Sequence, residues 1–292
     1  MSLKCPQCHS HETSSPELRM FRKMGFFVRK SDRVCVQRYK CLKCGKGFSD
    51  ATNDPCLNQN KRQMNAPLYL LLSSGMSMRR SARNLKIHRR TIKRKLLFLA
   101  HQAKLELEAL RAPVRELQFD DLETFEHTKC KPLSVTMAVE KHTRRILGFR
   151  VASMPAKGKL AAIARKKYGY RKDERSKKRR ELFAELRLIA RPGALIESDS
   201  NPHYFNDVKR FFPDCHYETV LGGRGAITGQ GELKKKKFDP LFSLNHTYAK
   251  LRADINRLFR KTWCTTKRPE MLEAHLTLYS HYHNAHLGKV YH

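Results

Sequence analysis

Acidic residues are scarce in this 292-residue chain: 27 Asp and Glu face 60 Lys and Arg, for a formal net charge of +33. Between Pro55 and Leu105 there is no Asp or Glu at all. Solvated helix faces normally mix charge signs, so an acid-free stretch of that length argues against a plain solvent-facing surface. It favours a polyanion, because each neutralised phosphate releases condensed counterions and adds affinity whatever the sequence. Long apolar runs are missing too. The longest, "APLYLLL" from Ala66 to Leu72, falls far short of the roughly 18 residues that span a bilayer, so no membrane partner is expected. No apolar h-region follows Met1, and no secretory leader is expected. The glycine-rich "LGGRGAITGQG" (221–231) lacks the G-K-[ST] ending of a phosphate-binding loop and reads as a linker. Tryptophan occurs once, at Trp263, where a packing anchor is expected.

Cysteine, by contrast, is plentiful, and its spacing is informative. Nine cysteines with no export signal imply a reducing compartment and metal binding rather than disulfides. A cytoplasmic, nucleoid-associated location in a prokaryote follows as the expectation. Cys5 and Cys8 form one C-x-x-C, Cys41 and Cys44 another, each in a knuckle-like turn. Four thiolates around a structural Zn2+ can fold a segment that has little core of its own. Between the pairs, "MGFFVRK" and "RVCVQRYKC" alternate as strands do, so residues 1–56 are expected to form a zinc ribbon. Cys35, His9 and His11 are the substitute ligands; Cys56 reads as a small hydrophobe.

Residues 60–112 carry the acid-free stretch. In "SMRRSARNLKIHRRTIKRKLLFLA", Ala82, Leu85, Ile87, Ile92 and Leu96 are spaced to pack two helices across a turn. This predicts a helix-turn-helix, with helices near Met78–Asn84 and His88–Ala100 and a DNA-reading face of Arg89, Arg90, Thr91, Lys93 and Arg94. Lys86 stands in the turn where Gly is common. A domain boundary is expected at Ala112 and Pro113.

Residues 113–292 alternate strand and helix patterns. "VRELQFDDLETF", "LSVTMAVEK" and "RRILGFRVASM" follow one another closely, as an antiparallel meander does. One long basic helix over Lys157–Ala190 is expected next, then the strand "GALIESDS", a helix, the strand "HYETVL" and two closing helices. The fold class is therefore α/β: an RNase H-like mixed sheet with flanking helices, preceded by the zinc ribbon and the helix-turn-helix. That order puts the first and fourth strands side by side, so Asp120 and Asp199, 79 residues apart in sequence, converge. Two adjacent carboxylates repel unless a cation lies between them, and Mg2+ or Mn2+ takes carboxylate oxygens while leaving sites for phosphate. A structural alternative exists for each acid: a salt bridge for the "FDD" pair, and a helix N-cap for Asp199.

The segment "FSLNHTYAKLRADINRLFRKTW", with the two aspartate motifs "FDD" and "SDSNPHY", resembles insertion-sequence transposases of the DDE type, above all the insertion-sequence-one superfamily and its relatives. The resemblance covers nearly the whole chain, because those proteins join a zinc ribbon and a helix-turn-helix to an RNase H-like catalytic domain. It implies a transposase that binds double-stranded DNA, the terminal inverted repeats and the target, as a homodimer or higher oligomer. It also implies a third ligand seven residues before Arg252. That position is Asn245, not the usual Glu; His246, Asp239 and Asp254 are its neighbours in sequence. The implied catalytic set is Asp120, Asp199 and Asn245, with Arg252 on DNA. Further cations are expected on phosphates: those between Lys166 and Arg180, Lys234–Lys237, Arg257, Arg260 and Lys261. The competing readings are a decayed or domesticated transposase acting as a repressor or architectural protein, and an RNase H-like nuclease.

Overall fold

The computed structural model describes residues 3–11, 19–221, 239–259 and 263–287. The chain divides into two compact units, Met1–Pro67 and Leu68–His292. The expected boundary at Ala112–Pro113 lies inside the second. Lys234–Lys237, most of the glycine-rich run, Arg260 and Lys261 lie outside the described residues. Among the described residues no helix is long and apolar enough to cross a membrane.

In the first unit, strands β1 (Phe21–Val28), β2 (Cys35–Cys41) and β3 (Gly47–Ser49) form an antiparallel sheet in that order. β1 and β2 are the two stretches between the cysteine pairs that read as strands. Their core is small: Cys5, Phe21, Cys41 and Phe48, with the Phe21 and Phe48 rings edge to face at 5.1 Å. So few apolar side chains cannot offset the ordering entropy of the segment, so the cysteines have to contribute.

Three helices lead into the second unit, α1 (Asn65–Ser73), which begins just before its boundary, α2 (Met78–Asn84) and α3 (Arg89–Ala109). Both later helices start on a cap. The Ser77 hydroxyl accepts from Arg80 N, and His88 Nδ1 accepts from Arg90 N, which satisfies otherwise orphaned donors. α2 ends where the sequence indicates, but α3 runs on to Ala109, since "HQAKLELEA" continues it without a break. Lys86, in the turn between them, has φ of 50°, the left-handed conformation that glycine takes most easily.

A five-stranded mixed sheet follows, built from β4 (Val114–Phe125), β5 (Pro132–Glu140), β6 (Ile146–Ser153), β7 (Ala190–Asp199) and β8 (His216–Val220). Its order is β6-β5-β4-β7-β8. The first three strands form an antiparallel meander; β7 is parallel to β4, and β8 to β7. β5 is buried along nearly its whole length, as a strand covered by helices on both faces must be. On one face, α5 (Arg175–Arg187) and α6 (Phe205–Phe211) cover Leu117, Phe119 and Ile196. On the other, α7 (Phe242–Asp254) and α8 (Pro269–His286) cover Leu122, Met137 and Val139. α3 packs along α8, where His281 bridges Tyr69 and Glu106. The described residues thus hold eight α-helices around a mixed sheet.

Two expectations are corrected. The basic stretch after β6 is not one helix but two, α4 (Leu160–Tyr168) and α5, because Gly169 at φ 76° turns the chain out of the first. Trp263 is 99% exposed and anchors nothing, since it sits in the surface segment before α8.

One close approach fixes the spacing of α5 over the sheet. A Cβ on Gly148 of β6 would meet Leu182 Cδ1 at 2.9 Å, and Leu182 is fully buried. Gly148→Ala is expected to cost about 1–3 kcal/mol in denaturant unfolding, as overpacking does. In a Leu182→Ala background the added methyl has room, and its cost should largely vanish in the double-mutant cycle.

Candidate metal centres

Cys5, Cys8, Cys41 and Cys44 converge, their sulfurs all within 4.8 Å of one another. The Cys5–Cys44 and Cys8–Cys41 sulfurs are each 3.6 Å apart. Four sulfurs on a tetrahedron with Zn–S bonds of about 2.3 Å lie about 3.8 Å apart, so this donor set can hold a metal ion such as zinc. The thiols also show why a cation suits them. Cys8 is lowered to about 6, first by the Ser10 hydroxyl and then by the Ser10 backbone. Cys44, despite a hydrogen bond from the Lys46 backbone, is pushed up to about 12 by burial and the neighbouring thiols. One thiolate in the group makes the next harder to form unless a cation joins them. Cys35 is exposed and outside the cluster, as are His9 and His11. Cys41→Ser, or a strong chelator, is expected to remove bound zinc and the first unit's cooperative melting while leaving that of the second; metal analysis and calorimetry check it.

In the second unit the parallel pairing of β4 with β7 sets the acids. Leu117 pairs with Ile196 and Gln118 with Glu197. The ladder ends at that pair, and two residues further along each strand stand Asp120 and Asp199. Side chains alternate faces, so both acids share the face on which Gln118 Nε2 donates to Glu197 Oε2 at 2.9 Å. That contact belongs to a buried network. Gln118 also donates to Pro240 O and accepts from Leu244 N, and Lys141 Nζ donates to Glu197 Oε1 at 2.9 Å. Leu244 lies in α7, so the network ties that helix to the face carrying the acids.

Two tyrosines complete the surroundings of Asp120. The Tyr204 hydroxyl donates to its Oδ1 at 3.2 Å, and the Tyr248 hydroxyl to its backbone oxygen. Tyr204 is fully buried, its ring 5.0 Å from that of Phe119 and from the Arg179 guanidinium. Arg179 in turn pairs with buried Asp207 and donates to His203 O, which holds the loop after β7. Asp199 Oδ1 accepts from Asn201 N, a local turn, and α6 begins only at Phe205, so Asp199 is not that helix's N-cap. Asp121 points to the opposite face and accepts from Thr136.

Among the proposed third donors, Asn245 lies on α7 between Leu244 and Tyr248, exposed, with its Nδ2 donating to Asp239 Oδ2 at 2.9 Å. No hydrogen bond joins it to Asp120 or Asp199. His246 turns to Arg144, 3.3 Å away, and Asp254 accepts from Tyr279 and pairs with Lys250. Arg252, one turn beyond Tyr248, acts electrostatically on that hydroxyl. Arg89, Arg90 and Arg94 are exposed at the start of α3, with Thr91 and Lys93 partly so, opposite buried Ile92 and Leu96.

Sequence reasoning missed Gln118, Glu197, Lys141, Tyr204 and Tyr248. Gln118 and Glu197 left a signal: each is a polar residue two positions before an acid, hence on the same strand face. The tyrosines left none, because their role depends on which helix lies over the sheet.

Burial raises Asp120 to about 7, with the Asp199 and Asp121 charges adding to it. Asp199 is raised as well, first by burial and then by Asp121. The folded state therefore holds the Asp120 proton more tightly than the unfolded chain. The stability this proton confers is complete below about pH 4 and is lost as pH rises to about 7. In metal-free buffer, Asp120→Asn is expected to raise Tm at pH 8 by several degrees, a gain that shrinks towards pH 4. Thermal unfolding across pH checks the sign.

No family model matches the chain, and no curated protein matches its sequence.

Proposed function

We propose that this chain is a DDE-type transposase: a zinc ribbon and a helix-turn-helix bind terminal inverted repeats, and an RNase H-like domain cuts and rejoins DNA. The observation that carries the reading is the register of β4 on β7, which pairs Gln118 with Glu197 and so sets Asp120 and Asp199 two residues beyond that pair on the same sheet face. The sheet order, with the meander's first strand at the centre and two parallel strands beside it, is the order an RNase H-like domain requires. The two capped helices around the left-handed Lys86 support the helix-turn-helix, with its exposed arginines on major-groove base edges and phosphates.

The donor set fits Mg2+ or Mn2+. Two carboxylates, both short of a counter-charge and one held protonated near neutral pH, are hard oxygen ligands that a divalent ion would satisfy. Asn245 would add a neutral amide oxygen, left available because its Nδ2 is engaged by Asp239. Such ions would make an attacking water or 3′-hydroxyl more acidic and stabilise the leaving oxygen. The chain's own residues prepare for this. Tyr204 and Tyr248 fix Asp120 from its side-chain and backbone oxygens, and the Gln118–Glu197 contact holds the strands in register. Arg252 would bring positive charge to the phosphate. A homodimer or larger assembly, needed to hold two DNA ends, and a cytoplasmic, nucleoid-associated site of action belong to the same proposal.

A second reading, a DNA-binding repressor derived from a transposase, is favoured by one observation: the third donor is neutral and lies in a hydrogen bond with Asp239. One experiment separates the two. With the flanking inverted repeats as substrate and Mg2+ or Mn2+ present, the protein should form strand-transfer products. Asp199→Ala should lower them by more than the roughly 10–100-fold that loss of a supporting outer-shell group costs, with end binding retained. A wild-type protein that binds the ends but makes no product with either ion would leave the repressor.

A further inference from the structure

The first unit carries a surface that neither the cysteine cluster nor the acid pair uses. Its sheet has two faces. One packs Phe21, Tyr39 and Phe48 toward the cysteines. The other begins regularly, but the register of β1 on β2 slips between Lys23 and Phe26, where Gly25 adopts φ 85° and its carbonyl accepts from the Gln37 amide. Such a bulge re-aims the side chains beyond it. Phe27 pairs with Val36 and so joins the face that presents Arg38 and Lys40 from β2.

A groove of about 350 Å³ opens beside these residues, lined among others by Met24, Phe27, Arg38 and Lys40 and also by Tyr39 and Phe48. Gly45 and Gly47 line it too, and a Cβ on either would meet nothing within 4 Å. Met24 and Phe27 are 45% and 41% exposed and, with Phe26 and Val28, make β1 an exposed apolar edge of this basic unit. No ion pair engages Arg38 or Lys40 among the described residues.

We propose that this groove binds single-stranded DNA, one unstacked base resting between Met24 and Phe27 while Arg38 and Lys40 hold the flanking phosphates. Three features select this occupant. The cations stand two residues apart on one strand, about 6.8 Å along it, a step comparable to that between phosphates of an extended strand. Exposed apolar side chains beside cations suit the face of a base, which a duplex hides in its stack. Aromatic faces beside cations bind single strands without reading their sequence. The proposal does not depend on the transposase reading; a repressor with the same first unit would carry the same groove.

The test uses the full chain, labelled oligo(dT) of about fifteen nucleotides, and a duplex of equal length, read by fluorescence anisotropy. Phe27→Ala should weaken oligo(dT) binding about 5- to 150-fold, leave the duplex within twofold, and be rescued by Phe27→Tyr. Arg38→Ala with Lys40→Ala should flatten the salt slope for oligo(dT) by about 1.4. Zinc content and melting of each variant confirm that the first unit is folded. The proposal is overturned if wild-type protein does not bind oligo(dT), or if Phe27→Ala leaves that binding intact or weakens the duplex equally. It is also overturned if sedimentation shows Phe27→Ala abolishing self-association while oligo(dT) binding persists, which would give the face to a second copy.

Discussion

Parallel pairing of β4 with β7 is the constraint on which the second unit depends. The two strands are separated in sequence by the meander, α4 and α5, so their pairing carries a substantial loop-closure entropy and forms only if the register is specified. A one-residue slip would send Asp199 to the other face. Two contacts prevent it. Leu117, Phe119 and Ile196 bury one face against α5 and α6, and Gln118 with Glu197 closes a satisfied polar network on the other. A buried amide of this kind contributes little net energy, but leaving any of its partners unpaired would cost about 1–3 kcal/mol. The network therefore selects one register more than it adds stability.

The same register creates an electrostatic conflict that the fold does not resolve by itself. A chain with 60 cations leaves two acids on one sheet face beside tyrosines rather than lysines. The cost appears as the raised Asp120, protonated near neutral pH, and as a folded state less stable at alkaline pH than it would be with an amide there. Elsewhere the fold neutralises its buried acids directly. Asp207 is clamped by Arg179 and Arg180, and Glu197 by Lys141. The contrast sets acids neutralised within the structure apart from two that are not. The cysteine cluster follows the same logic in the first unit, where four sulfurs surround the space for a cation and the apolar core is too small to suffice alone.

Much of this was legible in the residues. The alternating runs gave β4, β5, β6, β7 and β8 nearly to their ends, and C-x-x-C spacing brought the four cysteines together. Apolar spacing across a turn located α2 and the start of α3. What failed had physical causes. Gly169 breaks the long basic helix through a left-handed φ, although its neighbours all favour helix. Trp263 reads as core by composition, yet it lies in a surface segment. The tyrosines around Asp120 are invisible to periodicity, because their partner is defined by the packing of α6 and α7 on opposite faces. Asn245 is the mixed case: its place near the start of α7 follows from the pattern, whereas its hydrogen bond to Asp239 does not.

The account stands on Asp120 and Asp199 sharing a cation. Crystals soaked in Mn2+ and measured for anomalous scattering test this directly. The account predicts a manganese peak within coordinating distance of both carboxylates, lost in Asp199→Ala crystals. Manganese absent from that face, or bound only at Asp239 and Asp254, would contradict it.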